Sequence, residues 1–183
     1  MVVDRLLEAQ EEVLAKITES SLRRYDCLQR QLFATNVSID REWQRIYKGF
    51  YRVRRNDGWC RRYFSYFEDV KLNQGITFAE VILQGFGPSF SSKLVATVRP
   101  ELPVWDNFVM TNLEQKKPYR GTKPPEDFLQ QLVATYSSLQ ARVNAMVRDE
   151  KFRKLRRLFD ARFPAYTHFT DVKKLDLFLW QLR

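Results

Sequence analysis

The stretch that decides the fold of this chain is Leu83-Gln-Gly85-Phe-Gly87-Pro88-Ser-Phe-Ser-Ser-Lys93. Its two glycines lie two positions apart, a spacing that lets a backbone turn sharply and expose its N–H groups. The residues after Pro88 have helical spacing, so a helix is expected directly after the turn, where it adds the positive end of its dipole. The stretch therefore predicts two helices joined by a tight turn that can hold a phosphate.

Asp106 follows Gly87 by nineteen residues, in the segment Pro103-Val-Trp105-Asp106. A carboxylate held close to a phosphate-binding turn is placed to act on the bound strand, and the neighbouring Trp105 offers a ring on which a base can stack. The same spacing fits a second interpretation, in which Asp106 is the N-terminal cap of the next helix. The sequence alone leaves both roles open.

Size and charge bound the class of protein. The 183 residues fit one domain with a substantial core, and the net charge of +9 makes a polyanion the expected partner. No apolar run approaches the roughly 18 residues that a membrane-spanning helix needs, and acids interrupt the apolar residues near the N-terminal end. We therefore predict a cytoplasmic protein without a signal peptide or a membrane partner, and nucleic acid as the polyanion.

The chain has two cysteines and one histidine. Cys27 and Cys60 are too few for a disulfide framework and are predicted to be free thiols. His168 precedes Thr170-Asp171, a predicted helix cap, and is assigned a structural role. Because the sequence lacks the ligand patterns of zinc and iron–sulfur sites, we expect no metal and no cofactor.

Apolar residues recur at steps of three and four along nearly the whole chain, and the sequence has no alternating strand pattern of useful length. We predict an all-α fold with a single compact multi-helix domain over residues 1–183. Residues 1–35 are its N-terminal helical segment, either one long helix or two joined near Ser20. Residues 114–125, rich in lysine, proline and glycine, are predicted to be an internal loop. Further helices are predicted at about 41–55, 58–71, 77–83, 89–98, 106–113, 125–146, 148–162 and 171–182.

The segment from Arg41 to Phe67 interleaves cations with aromatic residues and holds few acids. Its aromatic residues fall at helical spacing and are predicted to be mostly core. Its arginines form a face with hardly any negative charge, which is typical of a surface that contacts phosphates. The predicted phosphate contacts are Arg52, Arg54, Arg55, Arg61 and Arg62. Cations also crowd residues 148–162, but acids dilute them, and we predict an ordinary solvated face there.

The order of helix, Leu-x-Gly-x-Gly turn, helix and Pro-Val-x-Asp segment over residues 83–109 resembles the helix-hairpin-helix DNA glycosylase superfamily. In that superfamily the backbone amides of the hairpin hold a DNA phosphate, and a carboxylate assists the departure of a damaged base that has been flipped out of the duplex. The resemblance implies a glycosylase-like fold, a role in DNA repair and a preference for DNA over RNA.

Residue by residue, the resemblance implies that Gly85 and Gly87 are the hairpin glycines and that Asp106 is the catalytic aspartate. Ser89 stands where bifunctional members place the lysine nucleophile, which implies a monofunctional N-glycosyl hydrolase without lyase activity. Lys93 lies one helical turn later. It is predicted to grip the DNA backbone together with the two glycines.

The sequence also departs from the superfamily pattern. Gln84 stands where proline is usual, and the run after Pro88 does not reproduce the usual basic residue and Thr-Ala pair. Residues 90–97 and 100–109 resemble, in addition, small bacterial all-helical proteins for which the resemblance supplies a fold and no activity. A shared fold does not fix a function.

Three functions stay open from the sequence. The first is a DNA-binding base-excision enzyme, which requires Asp106 to lie in an open pocket beside the hairpin. The second is a non-catalytic helical module that binds nucleic acid or another acidic partner through its basic face. The third is a factor that pairs with a second copy or another protein through the apolar stripe of residues 3–32.

Overall fold

The computed structural model describes residues 2–182, and within that range the secondary structure is entirely helical. The described part of the chain contains eleven α-helices and a short 3₁₀ helix at Pro164–Tyr166. The α-helices are α1 (Val2–Glu8), α2 (Gln10–Lys16), α3 (Glu19–Gln31), α4 (Arg41–Tyr51), α5 (Asp57–Val70), α6 (Phe78–Ile82), α7 (Pro88–Val98), α8 (Asn107–Asn112), α9 (Pro125–Arg148), α10 (Glu150–Arg162) and α11 (Asp171–Gln181). The predicted all-α fold is confirmed.

Local capping explains where most of these helices begin. At α6 the Thr77 hydroxyl accepts from the Glu80 amide, and the Glu80 carboxylate accepts from the Thr77 amide. This reciprocal pair satisfies two amides that the first helical turn leaves without partners. Asp40 caps α4 and Thr170 caps α11 in the same general way, each accepting from an amide three residues on. These starts follow the sequence prediction.

The N-terminal segment differs from the prediction of one long helix or two. The chain forms α1, α2 and α3 in place of them, with a break at Ala9 and another at Ile17 and Thr18. Ile17 adopts an extended conformation, and the Thr18 hydroxyl accepts from the Ser21 amide to start α3. The prediction of one long N-terminal helix, or of two joined near Ser20, is therefore wrong. Helical periodicity alone favours a continuous helix, but the buried Ile17 side chain and the Thr18 cap favour a bend at this point.

The apolar stripe of the first three helices is covered by the chain itself. Leu6 and Leu22 are completely buried, and Val13 is 1 % exposed. They pack in one hydrophobic cluster with side chains of α8 to α11. The stripe of residues 3–32 therefore contributes to the core of this chain, and no second chain is needed to cover it.

The core consists of two clusters that meet along α3 and α6. The first cluster takes its side chains from α1, α2, the start of α3 and α8 to α11, and the second from the end of α3, α4, α5 and α7. Helix α3 contributes Tyr25 to the first cluster and Leu28 to the second, while α6 contributes Phe78 to the first and Val81 to the second. The line where the clusters meet is called the junction below.

The aromatic residues of α4 and α5 build most of the second cluster. Trp43, Tyr47, Tyr63, Phe64 and Phe67 are all completely buried. Tyr47 and Tyr63 share a hydrogen bond of 2.7 Å between their hydroxyls. The prediction that these rings are core is confirmed.

Residues 114–124 form the predicted loop between α8 and α9. Glu114 enters it with a left-handed φ of 50°, and Gly121 has a φ of 51°. Within residues 2–182, no helix combines the length and apolar character that crossing a membrane requires.

Candidate nucleic-acid interface and the junction behind it

The turn between α6 and α7 has the backbone that its glycines predict. Gly85 and Gly87 have φ angles of 76° and 82°, in the left-handed region that favours glycine. A Cβ built on either residue has no neighbouring atom within 4 Å. The glycines are therefore required by the backbone conformation, and the space beside them is open to a ligand.

Phe86 fixes this hairpin to the second cluster. Its side chain is 3 % exposed, and its ring lies 5.0 Å from the Tyr63 ring and 5.6 Å from the Trp59 ring, edge to face in both cases. The residue between the two glycines thus points inward while the glycines face outward. A turn held in this way presents its backbone in one conformation.

The start of α7 is left without a side-chain cap. Gly87 has no side chain to accept from the first turn, and Pro88 at the first helical position has no N–H. The Ser89 and Phe90 amides belong to the first helical turn, where the N–H groups have no carbonyl acceptor within the helix. Together with the positive end of the helix dipole they suit an oxyanion.

Two of the five predicted arginines border the hairpin. The Arg62 guanidinium lies 5.2 Å from the Phe86 ring, and the Arg55 guanidinium lies 5.1 Å from the Phe90 ring. Both side chains are exposed. We call Arg55, Arg62, Gly85, Gly87 and Ser89 the hairpin face. The structure thus places two exposed guanidinium groups over ring side chains of the hairpin and of the first turn of α7.

The other three predicted arginines are exposed but do not all share this position. Arg52 has a left-handed φ of 52° and places its guanidinium 4.4 Å from the Trp180 ring. Trp180 in turn meets Phe108 edge to face, with ring centroids 5.9 Å apart. Arg54 and Arg61 lie on the surface of the loop before α5 and of α5 itself. Arg52 therefore lies against α11 and is not part of the hairpin face.

Lys93 does not lie where the sequence placed it. Its side chain is 7 % exposed, and its Nζ donates to the Tyr51 carbonyl oxygen at 3.1 Å. Every residue of α7 from 91 to 98 is buried, so this helix has no solvent face on which a lysine can meet a phosphate. The prediction that Lys93 grips a nucleic-acid backbone is wrong for this reason.

The surroundings of Lys93 lower the pKa of its ammonium group. Burial, the largest effect, lowers the pKa of the Lys93 ammonium, and the negative charges of Asp106 and Asp176 oppose it. Lys173 lies nearby, and its charge lowers the pKa of Lys93 further. We call Lys93, Asp106, Lys173 and Asp176 the junction cluster.

Asp106 caps α8. Its carboxylate accepts from the Phe108 amide at 2.9 Å, and the residue is half-buried. The preceding backbone is fixed from α7, because the Trp105 amide donates to the Ser92 hydroxyl at 2.8 Å. The capping interpretation of Asp106 is confirmed, and Ser92 is the residue that ties this cap to the helix of the hairpin. Sequence reasoning did not find Ser92, since a serine in an apolar helix carries no signal of a partner thirteen residues away.

Trp105 does not offer its ring to a base. It is 3 % exposed and stacks on Phe78 with ring centroids 6.1 Å apart and planes 7° from parallel. Tyr136 covers the Phe78 ring at 4.2 Å. The predicted base-stacking role of Trp105 is wrong, because the residue faces the first hydrophobic cluster.

Lys173 and Asp176 form a buried ion pair at the junction. Their Nζ and Oδ2 atoms are 2.7 Å apart, with 6 % and 15 % of the side chains exposed. The Lys173 ammonium also lies 4.6 Å from the Tyr25 ring and 4.8 Å from the Phe50 ring. Burial is the largest single effect and lowers the pKa of Lys173, but Asp176 and the other nearby groups together raise it above its ordinary value.

The room at the junction is small. A cavity of about 10 Å³ lies there, lined by Tyr51, Lys173, Asp176 and apolar residues, and Asp106 is not among them. That volume holds about one water molecule. A larger groove of about 400 Å³ runs between α1 and the end of α9, past Arg5, Arg142 and Asp149, and it includes none of the predicted site residues. In this conformation the junction does not enclose the open pocket that base excision requires.

Cys27 and Cys60 are free thiols, as predicted. His168 accepts or donates a hydrogen bond of 2.8 Å with Asp26, which links the segment before α11 to α3. Within residues 2–182, no three His, Cys, Asp or Glu side chains are grouped so that they could hold a metal ion.

Comparisons with known proteins identified no relative of this chain. A scan against protein-family models, a search of curated proteins and a search of solved structures found no match to this chain. Function is therefore inferred from the geometry above.

Proposed function

We propose that this protein binds the phosphate backbone of nucleic acid, DNA in preference to RNA, through the hairpin face. The observation that supports this best is the uncapped start of α7, which follows two glycines of positive φ, together with Arg55 and Arg62, whose guanidinium groups lie over the Phe90 and Phe86 rings. The hairpin thus carries backbone amides, the positive end of a helix dipole and, over its rings, two guanidinium groups. Each of them favours an oxyanion.

Charge supports a polyanion over a small anion. The chain carries 31 lysines and arginines against 22 aspartates and glutamates. Arg54 and Arg61 add exposed positive charge within a few residues of Arg55 and Arg62 along the chain. A strand with a phosphate at every nucleotide meets several of these groups at once, and its binding then weakens steeply with salt.

Binding is tested by fluorescence anisotropy of a labelled DNA duplex, and of the same sequence as an RNA duplex, over a range of salt concentrations. Arg55→Ala with Arg62→Ala is expected to weaken binding at every salt concentration and to reduce the salt slope by about one for each phosphate that the variant no longer neutralises. The matched control is Arg30→Ala with Arg45→Ala, which removes the same charge. Those arginines are exposed but already paired with Asp26 and Glu42.

Equal effects of the two double variants would overturn the proposal, because they would show that net charge alone governs binding. Tighter binding of the RNA duplex would overturn the preference for DNA. A weakening confined to the hairpin double variant, with DNA bound more tightly than RNA, is the expected result.

Base excision is the second candidate function. The bond that ties the segment of Asp106 to the hairpin helix favours it, but Asp106 caps α8 and does not line the cavity at the junction, so the open pocket that excision requires is not formed in this conformation. This carboxylate is half-buried, is tied to the hairpin helix through Ser92, and attracts the buried ammonium of Lys93. A carboxylate beside a bound strand can stabilise the positive charge that develops on a sugar when its base departs. The small cavity at the junction means that a flipped base enters only if the two clusters separate.

Excision is tested by incubating the protein with duplexes that carry uracil, alkylated or oxidised bases, followed by hot alkali. Asn keeps the capping oxygen of Asp106 but removes its charge, so Asp106→Asn separates the two roles. Strand breaks that need alkali, and that disappear in Asp106→Asn, are expected from a monofunctional enzyme. Retained DNA binding without cleavage of any duplex would leave the non-catalytic module as the function.

A further inference from the structure

The loop of residues 114–124 has a composition that the hairpin face does not explain. Residues 115–125 contain four cations and no acid, namely Lys116, Lys117, Arg120 and Lys123. All four are exposed. Tyr119 lies among them and is 81 % exposed, more than any other large apolar side chain in the described part of the chain. Glu114, at the start of the loop, is its one acid. An aromatic ring and a mainly positive charge are thus presented together.

The loop holds this ring in a defined place. Gly121 has a left-handed φ of 51°, and the Tyr119 ring lies 3.3 Å from the point where a Cβ on Gly121 would be. The Lys123 amide donates to the Arg120 carbonyl oxygen at 3.0 Å, and the Lys123 Nζ donates to the Tyr119 carbonyl oxygen at 2.8 Å. The ring therefore rests on a glycine at a closed turn while most of it stays in solvent.

The loop is also attached beside Asp106. The Lys117 Nζ donates to Asn107 Oδ1 at 2.7 Å, and Asn107 is the first residue of α8. The Gln115 amide donates to the Met110 carbonyl oxygen at 2.8 Å. The start of the loop is thus fixed to the helix that Asp106 caps. The loop therefore has a fixed position beside the N-terminal end of α8.

We propose that this loop is a second nucleic-acid contact, where the base of an unpaired nucleotide stacks on Tyr119 and the loop cations hold the neighbouring phosphates. The proposal rests on the proposed function in that both need nucleic acid, but it assigns a different surface and a different part of the ligand. Stacking needs an exposed ring and an exposed base, and paired bases inside a duplex do not present their faces. A polymer of carboxylates such as poly-glutamate would use the cations but offers no flat ring to stack on Tyr119.

The experiment compares two labelled DNA duplexes of one sequence, fully paired or with one unpaired 2-aminopurine at the centre. Binding is measured by anisotropy, and stacking by the quenching of 2-aminopurine fluorescence. The wild-type chain is expected to prefer the duplex with the unpaired base. Tyr119→Ala is expected to weaken binding to that duplex by at least about fivefold and to abolish the quenching, while binding to the paired duplex stays unchanged. Tyr119→Phe keeps the ring and is expected to keep both effects.

Further variants separate this proposal from the hairpin proposal. Lys116→Ala with Lys123→Ala is expected to weaken binding to both duplexes and to reduce the salt slope. Arg55→Ala with Arg62→Ala is expected to weaken binding to both duplexes and to leave the ratio of the two affinities unchanged. If this double variant does not weaken binding, the result counts against the hairpin face alone. Because Tyr119 is exposed, circular dichroism of Tyr119→Ala is expected to match that of the wild type.

Three results would overturn the inference. The first is an equal affinity of Tyr119→Ala and the wild type for the unpaired duplex. The second is an equal weakening for both duplexes in Tyr119→Ala, which would show a general role of the ring. The third is binding of poly-glutamate that depends on Tyr119 to the same degree, which would assign the loop to an acidic polypeptide.

Discussion

The hairpin face and the junction cluster both combine cations with aromatic rings, yet they use their charges in opposite ways. At the hairpin face Arg55 and Arg62 lie on rings and stay in solvent. At the junction Lys93 and Lys173 are buried and bond to the Tyr51 carbonyl oxygen and to Asp176. A charge that is already partnered inside the protein is closed to a ligand, whereas an exposed charge without an acid beside it remains free for a partner.

The basic helix α10 shows the same distinction on the surface. Lys151 pairs with Asp4, Arg153 with Glu150, and Arg156 with Asp171. Paired surface charges attract a polyanion less than unpaired ones, since the acid repels phosphate as the base attracts it. The number of cations in a segment is therefore a poorer guide to a binding surface than their pairing.

The largest expected change in stability comes from a substitution that breaks the buried ion pair of the junction cluster. Asp176→Ala leaves the Lys173 ammonium buried without its partner, so we expect a loss of about 3 kcal/mol or more in the free energy of unfolding. Urea denaturation at neutral pH measures it. The control is Glu12→Ala, which removes the acid of the exposed pair with Lys16 and is expected to cost at most about 1 kcal/mol. A similar cost for the two variants would contradict the buried role of Lys173.

The second prediction concerns buried tyrosines of both clusters. Burial, as the main effect, raises the pKa of Tyr47, Tyr63 and Tyr136 above the ordinary value of 10.0. A raised pKa means that their neutral form is favoured by folding. This contribution to stability is complete below pH 10 and is lost as pH rises above it, at about 1.4 kcal/mol per tyrosine for each pH unit.

Urea denaturation from neutral to strongly alkaline pH checks this loss, and tyrosinate absorbance reports which rings ionise. Buried tyrosines are expected to ionise only as the chain unfolds. Their ionisation in the folded chain, with unchanged stability, would be inconsistent with the closed core.

The third prediction compares two glycine substitutions. Gly87→Ala forces an alanine into a backbone conformation of positive φ and extended ψ, 82° and 159°, that is essentially confined to glycine, so we expect a loss of about 1 to 3 kcal/mol in stability, together with weaker DNA binding. The control is Gly58→Ala in α5, where φ is not left-handed and the nearest atom to an added Cβ is 3.6 Å away. That variant is expected to keep both properties. Thermal melts and anisotropy measure them, and an unchanged Gly87→Ala protein would show that the hairpin conformation is not needed for binding.

The smallest effect on binding is expected from the lysine that the sequence placed at the hairpin. Lys93→Met keeps much of the side-chain volume, and the amine it removes faces the Tyr51 carbonyl oxygen and not solvent. DNA affinity and its salt slope should therefore match those of the wild type, while Arg55→Ala alone weakens binding. A salt slope reduced by about one in Lys93→Met would contradict the buried position.

Much of the fold is predictable from the sequence because helix starts are local. Asp40, Thr77, Asp106 and Thr170 cap helices within three residues of themselves, so a window of a few residues holds the whole signal. The hairpin glycines are predictable for the same reason. The break at Thr18 also has a local cap, but continuous apolar periodicity across it favours a longer helix than the chain forms.

The orientation of Lys93 and Trp105 depends on contacts that are remote in sequence. Lys93 meets Tyr51 forty-two residues away, and Trp105 stacks on Phe78. A lysine in a helix is ordinarily assigned to solvent, and only the burial of α7 against the rest of the chain makes that assignment wrong. Local patterns identify the elements of the site, whereas burial decides which of its charges a ligand can reach.

Backbone amide chemical shifts during a titration with a DNA duplex test binding through the hairpin face most directly, because they report where the strand lies. We expect the largest shifts on Gly85, Gly87, Ser89 and Phe90, and little change over residues 148–162. Shifts concentrated on α10, with the hairpin amides unchanged, would contradict binding through the hairpin face.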